Sequence, residues 1–327
     1  MRPEDIRNIL GADLEAVKDL VRSRLSSSVK LLEDVNGSIL EHGGKMMRPA
    51  LCLLMARACG VPSEDTIRYA AAVELMHNSS LLHDDVADVS MIRRGVPTVM
   101  SLYGPVPAVL VGDFWLSRTV DTILGSVHRD WALPAFSKTL GDLAEGEMLQ
   151  QQKAFSADTT EDDYRQIIYC KTASLFELSC GAAAVSVDAS PELFEAALSY
   201  GRAVGMAFQI RDDILDYDGG DIGKPSGHDL AERKITLPLL GALRGCSDGA
   251  ASLSEAAVRE LVRGIPEHPE NVAAVTAFVR ENGGLDYAWK VLHSYIDEAL
   301  AALSALPSSK EKELLTEFGH LNETRNK

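Results

Sequence analysis

Apolar residues recur at helical spacing through almost the whole chain, and this periodicity leaves few folds open. The clearest stretches read LEAVKDLVRSRL, IRYAAAVELMHNSSLLHDD, LFEAALSYGRAVGMAFQIRDDILDY and LDYAWKVLHSYIDEALAAL. The alternation of apolar and polar residues that is typical of strands is almost absent. The central stretches are apolar on several sides, which is typical of helices buried in the middle of a large bundle. The sequence therefore predicts an all-α fold.

Short clusters of Gly, Pro, Ser and Asp separate the predicted helices. These breaks read GVPSED, RRGVPT, FSADTTEDD, DASPE, DGGDIGKPSGHD and ALPSSK. A chain of 327 residues suits one large helical domain as well as two smaller ones, so length alone does not count the domains. Because no low-complexity linker and no abrupt change of composition divides the chain, we expect one all-helical domain over residues 1–327.

Composition and charge exclude several classes of protein. The formal net charge of −16 repels phosphate backbones, so we expect no nucleic-acid partner. No apolar run approaches the roughly 20 residues of a membrane span, and no charged-then-apolar leader follows Met1, so we expect a cytoplasmic location. The five cysteines are scattered among apolar neighbours without CxxC spacing, which favours small core residues over a metal site or disulfides.

Three aspartates stand close together near the end of one predicted helix, in LLHDDVADVSMIRRG. They are Asp84, Asp85 and Asp88, and Gly95 follows shortly afterwards. On a helix, Asp84 and Asp88 lie on one face. Carboxylates near a helix C-terminus face the negative end of the dipole, so the cluster needs either solvation or a cation. One such motif on an acidic chain is weak evidence, and both interpretations stay open at this point.

A second cluster with the same spacing favours the cation. FQIRDDILDY carries Asp212, Asp213 and Asp216, again after a long apolar helix and before a Gly-rich loop. Mg²⁺ takes carboxylate oxygens, waters and substrate phosphates as ligands. Two matched clusters at the exits of buried helices therefore predict two metal-binding rims that face each other.

Basic residues lie next to these clusters and next to Gly turns. They are Lys45 and Arg48 in GGKMMRP, Arg93 and Arg94 after the first cluster, Lys171 in YCKTASLF, and Lys224 and Lys234 around GKPSGHDLAERK. The Gly-Gly turn enters a helix predicted from about Arg48 to Cys59, whose N-terminus favours an anion. Taken alone, each of these basic residues is more typical of a solvated surface charge than of a phosphate site. Together they suggest two phosphate sites, one bridged by Mg²⁺ and one held directly by lysine and arginine.

In order and spacing, these motifs resemble the signature set of the trans-isoprenyl diphosphate synthase (polyprenyl synthetase) family, over residues 41 to 238. The resemblance implies the isoprenoid synthase fold, a large antiparallel helix bundle around a deep apolar cavity, and a homodimer. It also implies head-to-tail 1'-4 condensation of isopentenyl diphosphate with an allylic diphosphate such as farnesyl diphosphate. Several Mg²⁺ ions per active site are expected, with Mn²⁺ as a substitute.

The resemblance implies a role for each matching residue. The metal ligands would be Asp84, Asp85, Asp88, Asp212, Asp213 and Asp216. The allylic diphosphate would be contacted by Arg93, Lys171, Lys224 and Lys234, and isopentenyl diphosphate would be bound without metal by Lys45, Arg48, His77 and Arg94. Thr172 and Gln209 would line the site near the developing cation. Met46 stands where arginine is common in the family, within the phosphate-binding motif.

Product length is expected to depend on residues just before the first aspartate cluster. Ser79 and Ser80 lie about 6 to 7.5 Å down the helix from Asp84, and Met76 lies about 12 Å down. In the family, aromatic residues at the two serine positions stop the chain early, so serines imply an open shaft and a long-chain, octaprenyl-like product. Met76 would be a soft lining of that shaft. Quinone side chains are the commonest destination of such products, which favour loose membrane contact.

Four other functions fit parts of the pattern. A medium-chain synthase giving geranylgeranyl or farnesyl diphosphate, or the catalytic subunit of a heteromeric polyprenyl synthase, would carry the same motifs. A class I terpene cyclase shares the fold and one DDxxD, but it has no use for a second phosphate site. A noncatalytic partner subunit is expected to have lost aspartates, whereas all six are present here.

Overall fold

The computed structural model describes residues 3–42, 44–93, 95–218, 227–247, 253–321 and 323, and most of them are helical. The helices are α1 (Pro3–Leu25), α2 (Lys30–Glu41), α3 (Met47–Cys59), α4 (Glu64–Ala87), α5 (Val99–Tyr103), α6 (Pro105–Leu124), α7 (Arg129–Ser156), α8 (Glu161–Ile168), α9 (Ser174–Val185), α10 (Pro191–Asp218), α11 (His228–Ala231), α12 (Leu237–Ser247), α13 (Glu255–Arg263), α14 (Asn271–Glu281), α15 (Gly284–Ala302) and α16 (Lys310–His320). A π-helical turn, Tyr169–Ala173, joins α8 to α9, and a 3-10 turn, Leu303–Ala305, follows α15. The predicted all-α fold is confirmed. Among the described residues, no helix combines the length and the apolar character needed to cross a membrane.

A short β-ribbon lies where the sequence predicted only a helix break. Strands β1 (Ile92–Arg93) and β2 (Val96–Pro97) pair antiparallel, with Arg93 opposite Val96. Gly95 lies in the turn with a φ of 80°, a conformation that glycine adopts without steric cost. Each strand has two residues, which is too short for strand alternation to show in the sequence. The ribbon holds the backbone of Arg93 just beyond the first aspartate cluster.

The chain divides into two compact units. The first comprises residues 1–140, 175–201 and 302–318. Within it, α4 packs against α1, α3 and α6. Helices α4 and α6 approach closely at Gly112, where a side-chain carbon would lie 2.3 Å from His83 Nε2, so the imidazole of His83 would have to move to admit one. Also in α6, Trp115 is buried and its Nε1 donates to Asn36 Oδ1 at 2.8 Å.

The second unit comprises residues 141–174, 202–301 and 319–327. Its core is built from apolar side chains of α10, α12, α13, α14 and α15. Tyr217, near the end of α10, is fully buried, and its carbonyl oxygen accepts a hydrogen bond from Arg280 Nη2 of α14 at 2.5 Å. This contact fixes the end of α10, where the second aspartate cluster lies. The expectation of one domain over residues 1–327 stays a prediction.

Candidate active site

The first aspartate cluster lies at the C-terminal end of α4. The helix ends at Ala87, and the backbone N–H of Asp88 donates to the carbonyl oxygen of Asp84 at 2.8 Å. Asp88 keeps a right-handed helical conformation, and Val89 then takes a φ of 51°, which ends the helix. Asp84 and Asp88 are therefore one turn apart on the same side of the helix, as their spacing predicted.

Asp85 differs from its neighbours because it is buried and paired. The residue is 5% exposed, and Arg93 Nε donates to Asp85 Oδ1 at 2.7 Å. Burial raises the pKa of Asp85, although the hydrogen bond and charge of Arg93 lower it. The structure thus places Arg93 at the first aspartate cluster, as the sequence predicted. It also shows Arg93 compensating the charge of Asp85.

The GGKMMRP motif brings Arg48 next to His77. Arg48 Nη1 lies 3.1 Å from His77 Nε2, and the guanidinium lies over the ring of Phe176, 4.5 Å from its centroid. Lys45 is exposed three residues earlier. Met46 has a φ of 54°, which is uncommon for a residue with a side chain. Two residues predicted for one phosphate site are therefore neighbours in the first unit.

Lys171 and Thr172 lie in the π-helical turn Tyr169–Ala173. Such turns insert one residue into a helix and are frequent at functional sites. Lys171 Nζ forms an ion pair with Glu147 Oε2 of α7. Burial alone would raise the pKa of Glu147, but the charge and hydrogen bond of Lys171 and a hydrogen bond from Gln151 bring it below its usual value. Glu147 is therefore an ionised partner that holds the predicted diphosphate ligand Lys171.

Helix α7 and the π-helical turn approach so closely that only glycine fits between them. A side-chain carbon at Gly146 would lie 2.6 Å from Cys170 Cβ, 3.0 Å from Lys171 Cγ and 3.1 Å from Lys171 N. Carbon atoms pack at about 3.5 to 4.0 Å. Gly146 therefore lets Lys171 occupy its observed position beside α7.

A chain of hydrogen bonds connects the π-helical turn to the second aspartate cluster. Thr172 Oγ1 donates to Gln209 Oε1 at 2.7 Å, and Gln209 Nε2 donates to Asp213 Oδ1 at 2.8 Å. Tyr164 of α8 donates its hydroxyl to Asp213 Oδ2 at 2.6 Å. The structure therefore brings together Thr172 and Gln209, which the sequence predicted as neighbours of the developing cation.

The three aspartates of the second cluster have different surroundings. Asp212 is exposed, whereas Asp213 is 3% exposed. Burial, followed by the nearby carboxylate of Asp229, raises the pKa of Asp213 well above its usual value. Asp216 caps the start of α11, because its Oδ1 accepts the N–H of His228 at 3.1 Å and its Oδ2 accepts the N–H of Asp229 at 3.0 Å. Asp212 is thus the member of this cluster that presents its carboxylate to the surface.

A cavity of about 160 Å³ in the second unit adjoins these residues. It is lined by Gln150, Lys153, Ala154, Thr159, Tyr164, Ile167, Ile168, Lys171, Gln209, Asp213, Asp229, Lys234, Ile235 and Thr236. Four of the residues predicted from the sequence, Lys171, Gln209, Asp213 and Lys234, therefore line one cavity. Lysines and aspartates alternate with apolar side chains there, so the cavity can hold a charged group beside an apolar one.

Several residues around this cavity were not predicted from the sequence. They are Glu147, Lys153, Tyr164 and Asp229. Tyr164 precedes Lys171 by seven residues, about two helical turns, and this spacing could have placed it on the same face. Burial, followed by the nearby Asp216, raises the pKa of Asp229 to about 6. Nothing local in the sequence distinguishes Asp229 or Lys153 from a surface charge.

Similarity to known proteins covers almost the entire chain. The family model described as polyprenyl synthetase matches residues 29–278. The chain belongs to the polyprenyl synthetase family.

The all-trans-nonaprenyl-diphosphate synthase (geranyl-diphosphate specific) of Rhodobacter capsulatus is 39% identical over 321 residues, 97% of this chain and 96% of that protein. The octaprenyl diphosphate synthase of Escherichia coli is 35% identical over 325 residues, 98% of both chains. The crystal structure of a polyprenyl synthase from Caulobacter crescentus, complexed with calcium and isoprenyl diphosphate, matches with a TM-score of 0.89 at 32% identity, over 99% of this chain and 98% of that one. The isoprenoid synthase fold is thereby confirmed.

Members of the polyprenyl synthetase family use Mg²⁺, and the carboxylates of this chain fit that ion. Among the described residues, no three His, Cys, Asp or Glu side chains come close enough to hold a metal ion by themselves. Mg²⁺ is usually bound by one or two carboxylates together with waters and substrate phosphates. In the first unit, Asp84 and Asp88 on one side of α4 supply such hard oxygen ligands, and in the second unit the exposed Asp212 of α10 does so. Each cluster by itself therefore fits an ion that binds together with a diphosphate, and the metal role of all six aspartates stays a prediction.

The three residues expected to control product length have different contacts. Ser79 is 2% exposed, and its Oγ donates to the carbonyl oxygen of Gly112 at 2.8 Å, between α4 and α6. Ser80 is half-buried, and its Oγ donates to the carbonyl oxygen of His77 in its own helix at 2.8 Å. Met76 is buried. The role of all three in product length stays a prediction, and Ser80 has the more accessible side chain of the two serines.

Two predicted site residues, Arg94 and Lys224, lie outside the described residues. Lys234 is described: it forms an ion pair with Glu232, and its N–H donates to the carbonyl oxygen of Asp229 at 2.8 Å. The first aspartate cluster belongs to the first unit and the second cluster to the second unit. The expectation that the two clusters face each other stays a prediction.

Proposed function

We propose that this chain is a long-chain trans-polyprenyl diphosphate synthase. It condenses isopentenyl diphosphate head to tail with an allylic diphosphate, forms a 1'-4 bond and releases pyrophosphate. Full-length similarity to proteins named as nonaprenyl and octaprenyl diphosphate synthases carries this proposal. The complete motif set supports it, because a terpene cyclase has no use for the second phosphate site and a noncatalytic subunit has no need of six aspartates.

The proposed chemistry requires charge stabilisation rather than acid or base catalysis. Mg²⁺ held by the two aspartate clusters would neutralise the allylic diphosphate and stabilise the negative charge that develops on the departing pyrophosphate. Arg93, Lys171 and Lys234, with Lys224, add positive charge around that group. Apolar surroundings protect the allylic cation from water until the double bond of isopentenyl diphosphate attacks. Pyrophosphate then removes the proton, so no serine, cysteine or histidine nucleophile is needed.

The second substrate is bound by a different part of the chain. Isopentenyl diphosphate is held without metal by Lys45, Arg48 and His77, with Arg94. The contact between Arg48 and His77 supports this assignment, since Arg48 Nη1 donates to His77 Nε2 and this hydrogen bond holds the two side chains together at the N-terminal end of α3. The ring of Phe176 under the guanidinium keeps Arg48 in one orientation.

The product is the first thing to measure. The purified chain is incubated with Mg²⁺, farnesyl diphosphate and labelled isopentenyl diphosphate, and the products are separated by mass spectrometry. Linear polyprenyl diphosphates of eight or more isoprene units are expected, following the names of the relatives. Geranylgeranyl or farnesyl products would instead indicate a medium-chain synthase, and a cyclic hydrocarbon would contradict the proposal. Activity that appears only after a second protein is added would indicate a heteromeric enzyme.

The metal requirement has its own test. Removing divalent ions with EDTA is expected to abolish turnover, and added Mg²⁺ or Mn²⁺ is expected to restore it. The calcium and isoprenyl diphosphate found together in the Caulobacter crescentus protein support a site of this kind. Turnover that persists in excess EDTA would contradict the metal role proposed for the two aspartate clusters.

The chain is proposed to form a homodimer in the cytoplasm, with loose membrane contact through its product. Helix α6 exposes several large apolar side chains, which is costly for a monomer. They are Val106, Val109, Leu110, Val120 and Leu124. Light scattering after size-exclusion chromatography is expected to give twice the chain mass. Leu110→Glu is expected to give the monomer mass, whereas Val61→Glu, at an exposed apolar position between α3 and α4, leaves the dimer intact.

A further inference from the structure

The hydrogen bonds in the second unit point to a functional residue that lies in none of the motifs. We propose that Tyr164 is a positioning residue, which orients Gln209 and Thr172 at the reacting end of the substrate by way of Asp213. The inference rests on the proposed function, because Gln209 and Thr172 are expected next to the allylic cation.

The structure gives the direction of each hydrogen bond around Asp213. Both of its neighbours turn a donor group towards the carboxyl group. Tyr164 donates to one oxygen at 2.6 Å, and the amide NH₂ of Gln209 donates to the other at 2.8 Å. The amide of Gln209 must therefore turn its oxygen, Oε1, towards Thr172 Oγ1, which donates to it at 2.7 Å.

The orientation of the Gln209 amide determines whether oxygen lone pairs or N–H groups face the substrate. Thr172 has one hydroxyl proton and uses it on Gln209, so the remaining lone pairs of Thr172 Oγ1 are left to face outwards. Oxygen lone pairs stabilise a developing cation, whereas an N–H group in the same place would oppose it. A flipped Gln209 amide would put its NH₂ group next to Thr172 and its oxygen next to the Asp213 carboxylate. Tyr164 and Asp213 together prevent that flip.

The π-helical turn allows Tyr164 and Thr172 to reach the same helix. The two residues are eight positions apart in the sequence, which in a regular α-helix is about 800°, or 80° away from alignment. The π-helical turn takes up one extra residue, so the rotation about the helix axis from Tyr164 to Thr172 is about that of seven positions, 700°. Two full turns are 720°, so the two side chains lie within about 20° of the same face. That face meets Gln209 and Asp213, which are one turn apart on α10.

The hydrogen bond from the Tyr164 hydroxyl to Asp213 lies among buried residues, so its removal is expected to have a measurable effect on the site. Tyr164 and Asp213 are each 3% exposed, and Thr172 is 7% exposed. Without the Tyr164 hydroxyl, the Asp213 side chain loses one of the two hydrogen bonds that hold it. The Gln209 amide, which is bonded to Asp213, is then held less firmly in its orientation.

A double-mutant cycle tests the proposal. Tyr164→Phe and Thr172→Val are each expected to lower kcat about tenfold, with the KM of both substrates within about twofold of wild type. Because Tyr164 acts by orienting the Thr172 oxygen, it has nothing left to orient once that oxygen is removed, and the double variant is expected to lose no more than the worse single variant. Thr172→Ser, which keeps the hydroxyl, is expected to retain kcat. Tyr69→Phe is the matched control, since Tyr69 is also a fully buried tyrosine, bonded to Ser126 at 2.6 Å in the first unit.

The outcomes separate this proposal from the proposed function. If the wild type makes no prenyl product, the function fails and the positioning role fails with it. If the wild type is active and the losses of Tyr164→Phe and Thr172→Val multiply to about a hundredfold, only the positioning role is overturned. Asp213→Asn gives a second test should Tyr164→Phe fail to fold. Asp213→Asn is expected to lower kcat about as much as Tyr164→Phe is expected to, and to leave the Mg²⁺ concentration for half-maximal activity unchanged. A large rise in that Mg²⁺ concentration would contradict the proposal.

Discussion

Replacing Gly146 by alanine should disturb the active site through packing alone. An alanine Cβ at this position would lie 2.6 Å from Cys170 Cβ and 3.0 Å from Lys171 Cγ. To reach an ordinary contact of about 3.6 Å, α7 and the π-helical turn must separate by about 1 Å. Lys171 and Thr172 lie in that turn, so both would move away from their present positions.

The same helix provides a matched control for this change. Gly141 also lies in α7, and a Cβ there meets no atom within 4 Å. Glycine to alanine in a helix stabilises by about 1 kcal/mol when nothing else changes, so Gly141→Ala should raise the free energy of unfolding by that amount. At Gly146 the same gain is opposed by an overpacking cost of about 1 to 3 kcal/mol. The two variants should therefore differ by about 1 to 3 kcal/mol in free energy of unfolding.

Two measurements check this prediction. Urea denaturation gives the difference in free energy of unfolding, and steady-state kinetics give kcat. A displacement of about 1 Å at a reacting group can cost about a hundredfold in rate, so Gly146→Ala should lose between ten- and a hundredfold in kcat while Gly141→Ala keeps wild-type activity. If Gly146→Ala proves as stable and as active as Gly141→Ala, the close packing of α7 on the π-helical turn does not control the site.

Four further substitutions test the remaining assignments. Asp84→Ala should lower kcat by at least about a hundredfold, since it removes charge stabilisation worth about 3 kcal/mol or more, and near-wild-type turnover would refute a metal role. Arg48→Met should raise the KM for isopentenyl diphosphate at least tenfold and leave the KM for the allylic substrate within about twofold; equal effects on both would contradict two separate phosphate sites. Ser80→Phe should shorten the product with kcat for the first condensation retained, as seen by mass spectrometry, whereas Ser79→Phe should mainly destabilise the protein because Ser79 is packed between α4 and α6.

The motif positions were predictable from the sequence because they depend on local rules. Helical periodicity predicted that Asp84 and Asp88 share one side of α4, and the structure confirms this geometry. The resemblance to the family predicted that Arg48 and His77 are neighbours at one site, and their 3.1 Å contact agrees with it. The β1–β2 ribbon was missed because two-residue strands leave no periodic pattern.

The environment of each carboxylate was not predictable in the same way. The second cluster reads as three equivalent aspartates in the sequence, yet Asp212 is exposed, Asp213 is buried between Tyr164 and Gln209, and Asp216 caps α11. Adjacent helical positions point about 100° apart, so neighbouring aspartates necessarily meet different surroundings. Which surroundings they meet depends on helices that are distant in the sequence.

By itself, the sequence determined the helical class, the two aspartate motifs and the family, because these follow from spacing along one chain. Only the tertiary structure decided that Glu147 pairs with Lys171, that Gly146 makes room for the π-helical turn and that Tyr164 reaches Asp213. The physical reason is that hydrogen bonds and ion pairs act over a few ångströms. They are made by residues that folding brings together, whatever their separation in the sequence.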